Sequence, residues 1–124
     1  MRVEHVMKDY EARLNRGRFD EVAPLISSDA LFWFNDGSHS GLDAVRAAFT
    51  RTFQTFPLER YWFEDLIWLA KDDDVASCAY RFRWTATING KVLAGGGRGT
   101  NVLRKEGGGW KIVHEHLSAT PAAP

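Results

Sequence analysis

The order of its elements predicts an α+β fold for this chain, with three N-terminal helices packed on a strongly curved, mostly antiparallel sheet. Three observations carry that expectation. Apolar residues recur at helical spacing in three stretches up to Phe53, with one strand between the second and third. From Tyr61 onward the pattern is that of strands. Glycine clusters and an Asn89-Gly90 pair punctuate that second half. Helices grouped ahead of a meander collect on one face of the sheet. A bent sheet folded over them makes an open-mouthed cone, a natural ligand site.

Val3, Val6, Met7, Tyr10 and Leu14 form an apolar stripe between charged residues, so the first helix buries one face and stops near Gly17. Phe19, Val22 and Ile26 predict a short second helix capped by Asp20 and made irregular by Pro24. Leu31 to Asn35 reads as a strand and Asp36 to Gly41 as a loop. Leu42, Val45, Phe49 and Phe53 mark a third helix, ended by Pro57.

Tyr61 to Ala70 is apolar on both faces. Val75 to Ile88 alternates, with Ala76, Cys78, Tyr80, Phe82 and Trp84 opposite Ser77, Arg81, Arg83 and Thr85. Asn89-Gly90 turns into a strand interrupted by Gly95-Gly96-Gly97, which predicts a bulge or sharp bend. Gly107 to Gly109 leads into the last strand. There strict alternation puts Trp110, Ile112, His114, His116 and Ser118 on one face, and Lys111, Val113, Glu115 and Leu117 on the other. Residues 1–118 form a single domain in this reading, and 119–124 a flexible Ala/Pro-rich tail.

The bulk numbers narrow the classes of function. With 124 residues, 44% of them hydrophobic and 16 aromatic, the chain fills a core and still lines a cavity. Sixteen basic residues balance sixteen acidic ones, so no field draws in nucleic acid or anionic lipid. The lone Cys78 allows no internal disulfide and suits a reducing compartment. No stretch has the length of a membrane span or the apolar core of a signal peptide, which points to the cytoplasm.

Two groups of residues carry a family resemblance over about residues 3–118. Thr100-Asn101-Val102 with GGGWKIVHEHLS (107–118) is similar to the ending of the calcium/calmodulin-dependent protein kinase II association domain. Tyr10, Asn15-Arg16-Gly17 and Ser28-Asp29-Ala30 resemble the opening of ketosteroid isomerase. Both belong to the nuclear transport factor 2-like superfamily, and the chain most resembles its small SnoaL-like members. The resemblance implies the cone-shaped fold of that superfamily. It also implies that Tyr10 and Asn101 stand where the isomerase places two hydrogen-bond donors to a substrate oxygen. The isomerase's aspartate base matches Phe34 or its neighbours, with Asp36 just beyond. The arginines of the kinase association domain's cavity match Phe82 and Asn101.

The candidate catalytic residues are therefore His116, His114, Tyr10 and Asn101, and the candidate substrate wall is Phe34, Phe53, Phe82, Trp84 and Leu103. An imidazole titrates near neutral pH and serves as acid or base; the competing reading is a buried, neutral histidine hydrogen-bonded to a neighbour. His-x-His offers two metal ligands on one strand face but no convergent third, so no metal and no cofactor are expected. Tyr10 reads as core or cavity, Cys78 as packing, His5 as surface and His39 as a loop residue near the cavity rim. Five tryptophans exceed the needs of one small core, so some are expected on the cavity wall.

Two functions follow. One is a cofactor-free acid/base enzyme of isomerase, cyclase or dehydratase type, acting on a small hydrophobic cyclic molecule. The other is a non-catalytic ligand-binding or assembly domain. The outer sheet face mixes Arg81, Arg83, Thr85, Thr100, Val102, Val113 and Leu117, a composition that suits a homodimer contact.

Overall fold

In a computed structural model, which describes residues 2–121, the chain runs α1 (Val3–Leu14), α2 (Phe19–Val22), a single 3-10 turn (Ala23–Leu25), β1 (Ile26–Phe34) and β2 (Gly37–Ser40). It continues through α3 (Leu42–Thr55), β3 (Leu58–Lys71), β4 (Val75–Ile88), β5 (Lys91–Glu106) and β6 (Gly109–Ala119). The six strands form one sheet in the order β2-β1-β6-β5-β4-β3. Every pairing is antiparallel except β1 with β6. The α+β expectation is met.

Helix α1 buries the predicted stripe of Val3, Val6, Met7, Tyr10 and Leu14. Its polar side does a second job. The Asn15 side-chain amide donates to the Tyr61 carbonyl and accepts from the Tyr61 N–H, both at 2.7 Å, as a neighbouring strand would. Glu11 accepts from the Phe63 N–H, also at 2.7 Å. Strand β3 pairs only with β4, so these contacts satisfy backbone groups on its open edge.

Several boundaries differ from expectation. Pro24 confines the second helix to one turn plus a 3-10 turn, and Ile26 already belongs to β1. Asp20 lies inside α2, whose N-cap is Arg18. The loop at 36–41 contains β2, which folds back on β1 from Leu31–Ser40 to Phe34–Gly37. Of the tail expected at 119–124, Ala119 closes β6, and residues 122–124 lie outside the described residues.

The glycines of β5 also act differently. The β4–β5 ladder runs without a register shift from Val75–Arg104 to Ile88–Lys91, through an Asn89-Gly90 turn with φ of 52° and 75°. Gly95, Gly97 and Gly99 lie opposite Trp84, Phe82 and Tyr80 on the inner face. A Cβ at Gly99 would sit 2.4 Å from the Tyr80 ring, and one at Gly97 would sit 2.8 Å from the Phe82 ring. The glycines are seats for aromatic rings laid across the sheet. The predicted bulge lies elsewhere, at Val113 in β6.

That bulge decides which side chains face inward. Leu103 pairs with Ile112, but Val102 pairs with His114, so one residue of β6 is skipped. Past an extra residue the alternation reverses. Trp110 and Ile112 are buried, and beyond the bulge Glu115 takes the inner position opposite Asn101. Among the described residues no helix is long and apolar enough to cross a membrane.

Candidate functional site

Helix α1, helix α3 and the concave face of the sheet line a half-open cavity of about 290 Å³, close to the lower end of the ~300–1,000 Å³ range of small-molecule sites. Its wall is aromatic. Phe34, Phe49, Phe53, Phe56, Tyr61 and Phe82 line it with Tyr10, and the polar residues Asn35, Asp36, Thr52 and Glu115 are also in the wall. The Tyr61 and Phe82 rings stack with centroids 5.8 Å apart at 13°. Phe49 meets Phe32, Phe34 and Phe53 at 5.7–6.0 Å. Such interlocked rings hold one another in place.

Glu115 is the centre of the site. It is 3% exposed, and three donors converge on its Oε1: the Tyr10 hydroxyl at 2.9 Å, the Asn101 amide at 3.2 Å and the Tyr80 hydroxyl at 3.5 Å. The Tyr80 hydroxyl shares its one proton between that long contact and a shorter bond to Asn101 Oδ1 at 2.8 Å, and the Asn101 amide touches Met7 Sδ at 3.7 Å. Oε2 receives no hydrogen bond from any described residue. No fully buried polar side-chain atom among the described residues lacks a partner, so Oε2 keeps access to the cavity. One oxygen is anchored and the other is open.

Burial pushes the Glu115 carboxyl up to about 7, against the smaller opposing effect of its three donors. Desolvation, with the charge of Glu115 next in importance, raises Tyr10 and Tyr80 well above the usual phenol value. Both therefore stay protonated and donate. A carboxyl that titrates near neutrality serves as acid or base, the property sought in a proton-transfer group.

The mouth carries a second polar pair. Asp36 lines the cavity and lies 3.0 Å from His39 Nε2, with Arg51 at 3.9 Å. His39, expected in a loop, lies in β2 and packs against the Phe34 ring with centroids 5.5 Å apart.

The sequence-predicted residues divide into two sets. Tyr10 and Asn101 come together as expected, but both donate to Glu115 instead of to an open oxygen position. Phe34, Phe53 and Phe82 line the cavity. Leu103 is fully buried beneath it, and Trp84 packs on Phe56 beside the wall, with centroids 5.4 Å apart. His114 and His116, expected inside, stand on the outer face, because the bulge at Val113 turns them out and Glu115 in. They flank Trp33 there at 5.2 and 5.4 Å, and His114 Nδ1 lies 2.7 Å from the Leu31 carbonyl. Leu117, expected outside, lines the cavity for the same reason.

No tryptophan lies among the lining residues; the wall is built from Phe and Tyr. Sequence reasoning missed Glu115, Tyr61, Phe49 and Phe56. Glu115 carries a signal that was available. It is the one acidic residue of β6, and it shares its parity with the apolar Val113 and Leu117. Cys78 is buried packing as expected, its thiol pushed up to about 12 mainly by burial.

A sequence model of the SnoaL-like domain family matches residues 3–123. The chain belongs to the SnoaL-like domain family. Among curated proteins none matches the sequence. Solved structures do. A putative calcium/calmodulin-dependent protein kinase II association domain from Xanthomonas campestris is 26% identical, with a TM-score of 0.86 over 98% of this chain and 87% of that one. A nuclear transport factor 2-like superfamily protein from Salmonella enterica is 19% identical, with a TM-score of 0.78 over 97% of this chain and 89% of that one. A putative aromatic ring hydroxylase from Novosphingobium aromaticivorans is 17% identical, with a TM-score of 0.81 over 97% and 87%. The two likenesses below 20% identity speak for the fold of this SnoaL-like domain, which is the nuclear transport factor 2-like cone.

Proposed function

We propose that this SnoaL-like domain binds a small, hydrophobic, ring-bearing molecule and exchanges a proton with it through Glu115, in a cofactor-free reaction of isomerase, cyclase or dehydratase type. The observation that carries the reading is the open Oε2 of a buried carboxyl facing an aromatic cavity. Tyr10, Asn101 and Tyr80 orient Glu115 by holding Oε1, while Phe34, Phe53 and Phe82 give the cavity beside the opposite oxygen an apolar wall. A proton taken up by Oε2 leaves the carboxyl neutral, the form that burial favours, and the pinned geometry returns it at the same place. Likeness to a putative aromatic ring hydroxylase agrees with a ring-sized cavity.

A panel of mono- and bicyclic ring compounds, screened by thermal shift, tests the reading. Ring compounds should raise the melting temperature of the wild type, and Phe53→Arg, which places a charge on the cavity wall, should abolish the shift. A panel without a single stabilising ring compound refutes the cavity as a binding site.

A second reading, assembly, rests on the outer face. One cross-strand row runs Ile67, Ala79, Thr100, His116, Trp33 through the pairings of five strands. Ile67 is 61% exposed and Trp33 41%. An open row of this kind, without lysine, arginine or carboxylate, suits a second copy of the chain, and likeness to the kinase association domain agrees with it. Both readings hold together if a dimer carries two independent cavities.

A further inference from the structure

The cavity holds a second polar group with no assigned task. Tyr61 lies on β3, its ring stacked on Phe82 and set edge-on to Phe63 at 5.5 Å. Both of its backbone polar groups are taken by the Asn15 side-chain amide at 2.7 Å, on the edge of β3 away from β4. Its hydroxyl makes no hydrogen bond with any described residue. Since no fully buried polar side-chain atom among the described residues is left without a partner, the hydroxyl reaches open space, and the cavity is where Tyr61 opens. Burial, with the charge of Glu115 second, raises this phenol well above its ordinary value, so it remains a donor across the neutral range.

Tyr10 and Tyr80 differ from it in one respect. Their hydroxyls are committed to Glu115 and Asn101. Tyr61 is the tyrosine of the site whose donor is unspent. A ligand that fills the cavity without an oxygen would leave that hydroxyl without water and without a partner, which disfavours binding. One that brings an acceptor satisfies it. Resting on the cavity reading above, we infer that Tyr61 is the specificity-determining residue, and that its hydroxyl selects ring molecules bearing a carbonyl, enol or phenol oxygen over plain hydrocarbons. The oxygen end then faces Tyr61, and the ring lies against Phe82 and Phe53.

Naphthalene and 2-naphthol, nearly equal in shape and different by one oxygen, serve as probes. Their affinities are measured by tryptophan and naphthol fluorescence in the wild type, in Tyr61→Phe and in Glu115→Gln. The wild type should prefer 2-naphthol by about tenfold. Tyr61→Phe keeps the stacked ring and should erase the preference, chiefly by letting naphthalene bind more tightly than it does to the wild type. Glu115→Gln should retain most of it. If the preference survives in Tyr61→Phe and vanishes in Glu115→Gln, the oxygen is held by Glu115 and the inference about Tyr61 is overturned. Equal affinity of both probes for the wild type overturns it as well. If neither probe binds, the cavity reading itself falls.

Discussion

Replacing Glu115 by Gln removes one ionisation and almost nothing else, since the amide carbonyl still accepts from Tyr10 and Asn101. In the folded chain burial raises this carboxyl from 4.5 to about 7. The unfolded chain therefore loses its proton first as pH rises, and the folded chain holds on to it. Between those two values the folded state binds more protons, so stability falls as pH rises and the loss is complete above about 7. At ~1.4 kcal/mol per tenfold change in proton affinity, the gap amounts to about 3 kcal/mol.

Glu115→Gln should thus match the wild type at pH 4 and exceed it by about 3 kcal/mol at pH 8. With an m value of ~2 kcal/mol per molar urea, the pH 8 midpoint moves up by about 1.5 M. Urea titrations followed by tryptophan fluorescence from pH 4 to 8 read this directly. Taking the difference between variant and wild type cancels the titrating groups that do not interact with Glu115. A difference that stays flat with pH, or a wild type more stable than the variant at pH 8, refutes the idea of a destabilised buried carboxyl.

Gly99→Ala places a Cβ 2.4 Å from the Tyr80 ring, which cannot swing away while its hydroxyl is pinned to Asn101; a loss of about 1–3 kcal/mol should appear in urea melts, and an unchanged midpoint would contradict the ring-seat role. For the outer face, sedimentation at micromolar concentration should give twice the 14.0 kDa of the chain, and Thr100→Arg should return it to one copy; a wild type that sediments as a single chain removes the dimer.

The fold was legible because its signals are local and redundant. The stripe from Val3 to Leu14, the aromatic alternation of β4 and the Asn89-Gly90 turn each specify an element on their own. Half of the wall was legible too, since Phe34, Phe53 and Phe82 sit on elements without irregularities at those points. The site's centre was not. Side-chain direction in a strand depends on counting by two, and one skipped residue at Val113 inverts every later position. No residue type at that point announces a bulge; of the glycines that suggested one, in β5, Gly95 and Gly97 are seats for Trp84 and Phe82. Tyr61 was hidden for a different reason. Its strand is apolar on both faces, so periodicity could not tell cavity from packing.

The amide of Asn15 and the carboxylate of Glu11 have a consequence for the chain's behaviour in company. Lying along the free side of β3, they occupy the backbone groups of Tyr61 and Phe63 that a stranger's strand would seek. Further along the same strand, Ile67 and Leu69 stand about 60% exposed, and Glu4 of α1 ties down Lys71 at 3.0 Å. Helix α1 is thus a guard rail as well as a cavity wall. When it frays, the chain shows its neighbours a long, twisted edge with two bare aliphatic side chains, and that edge is where self-association into fibrils or clumps would start.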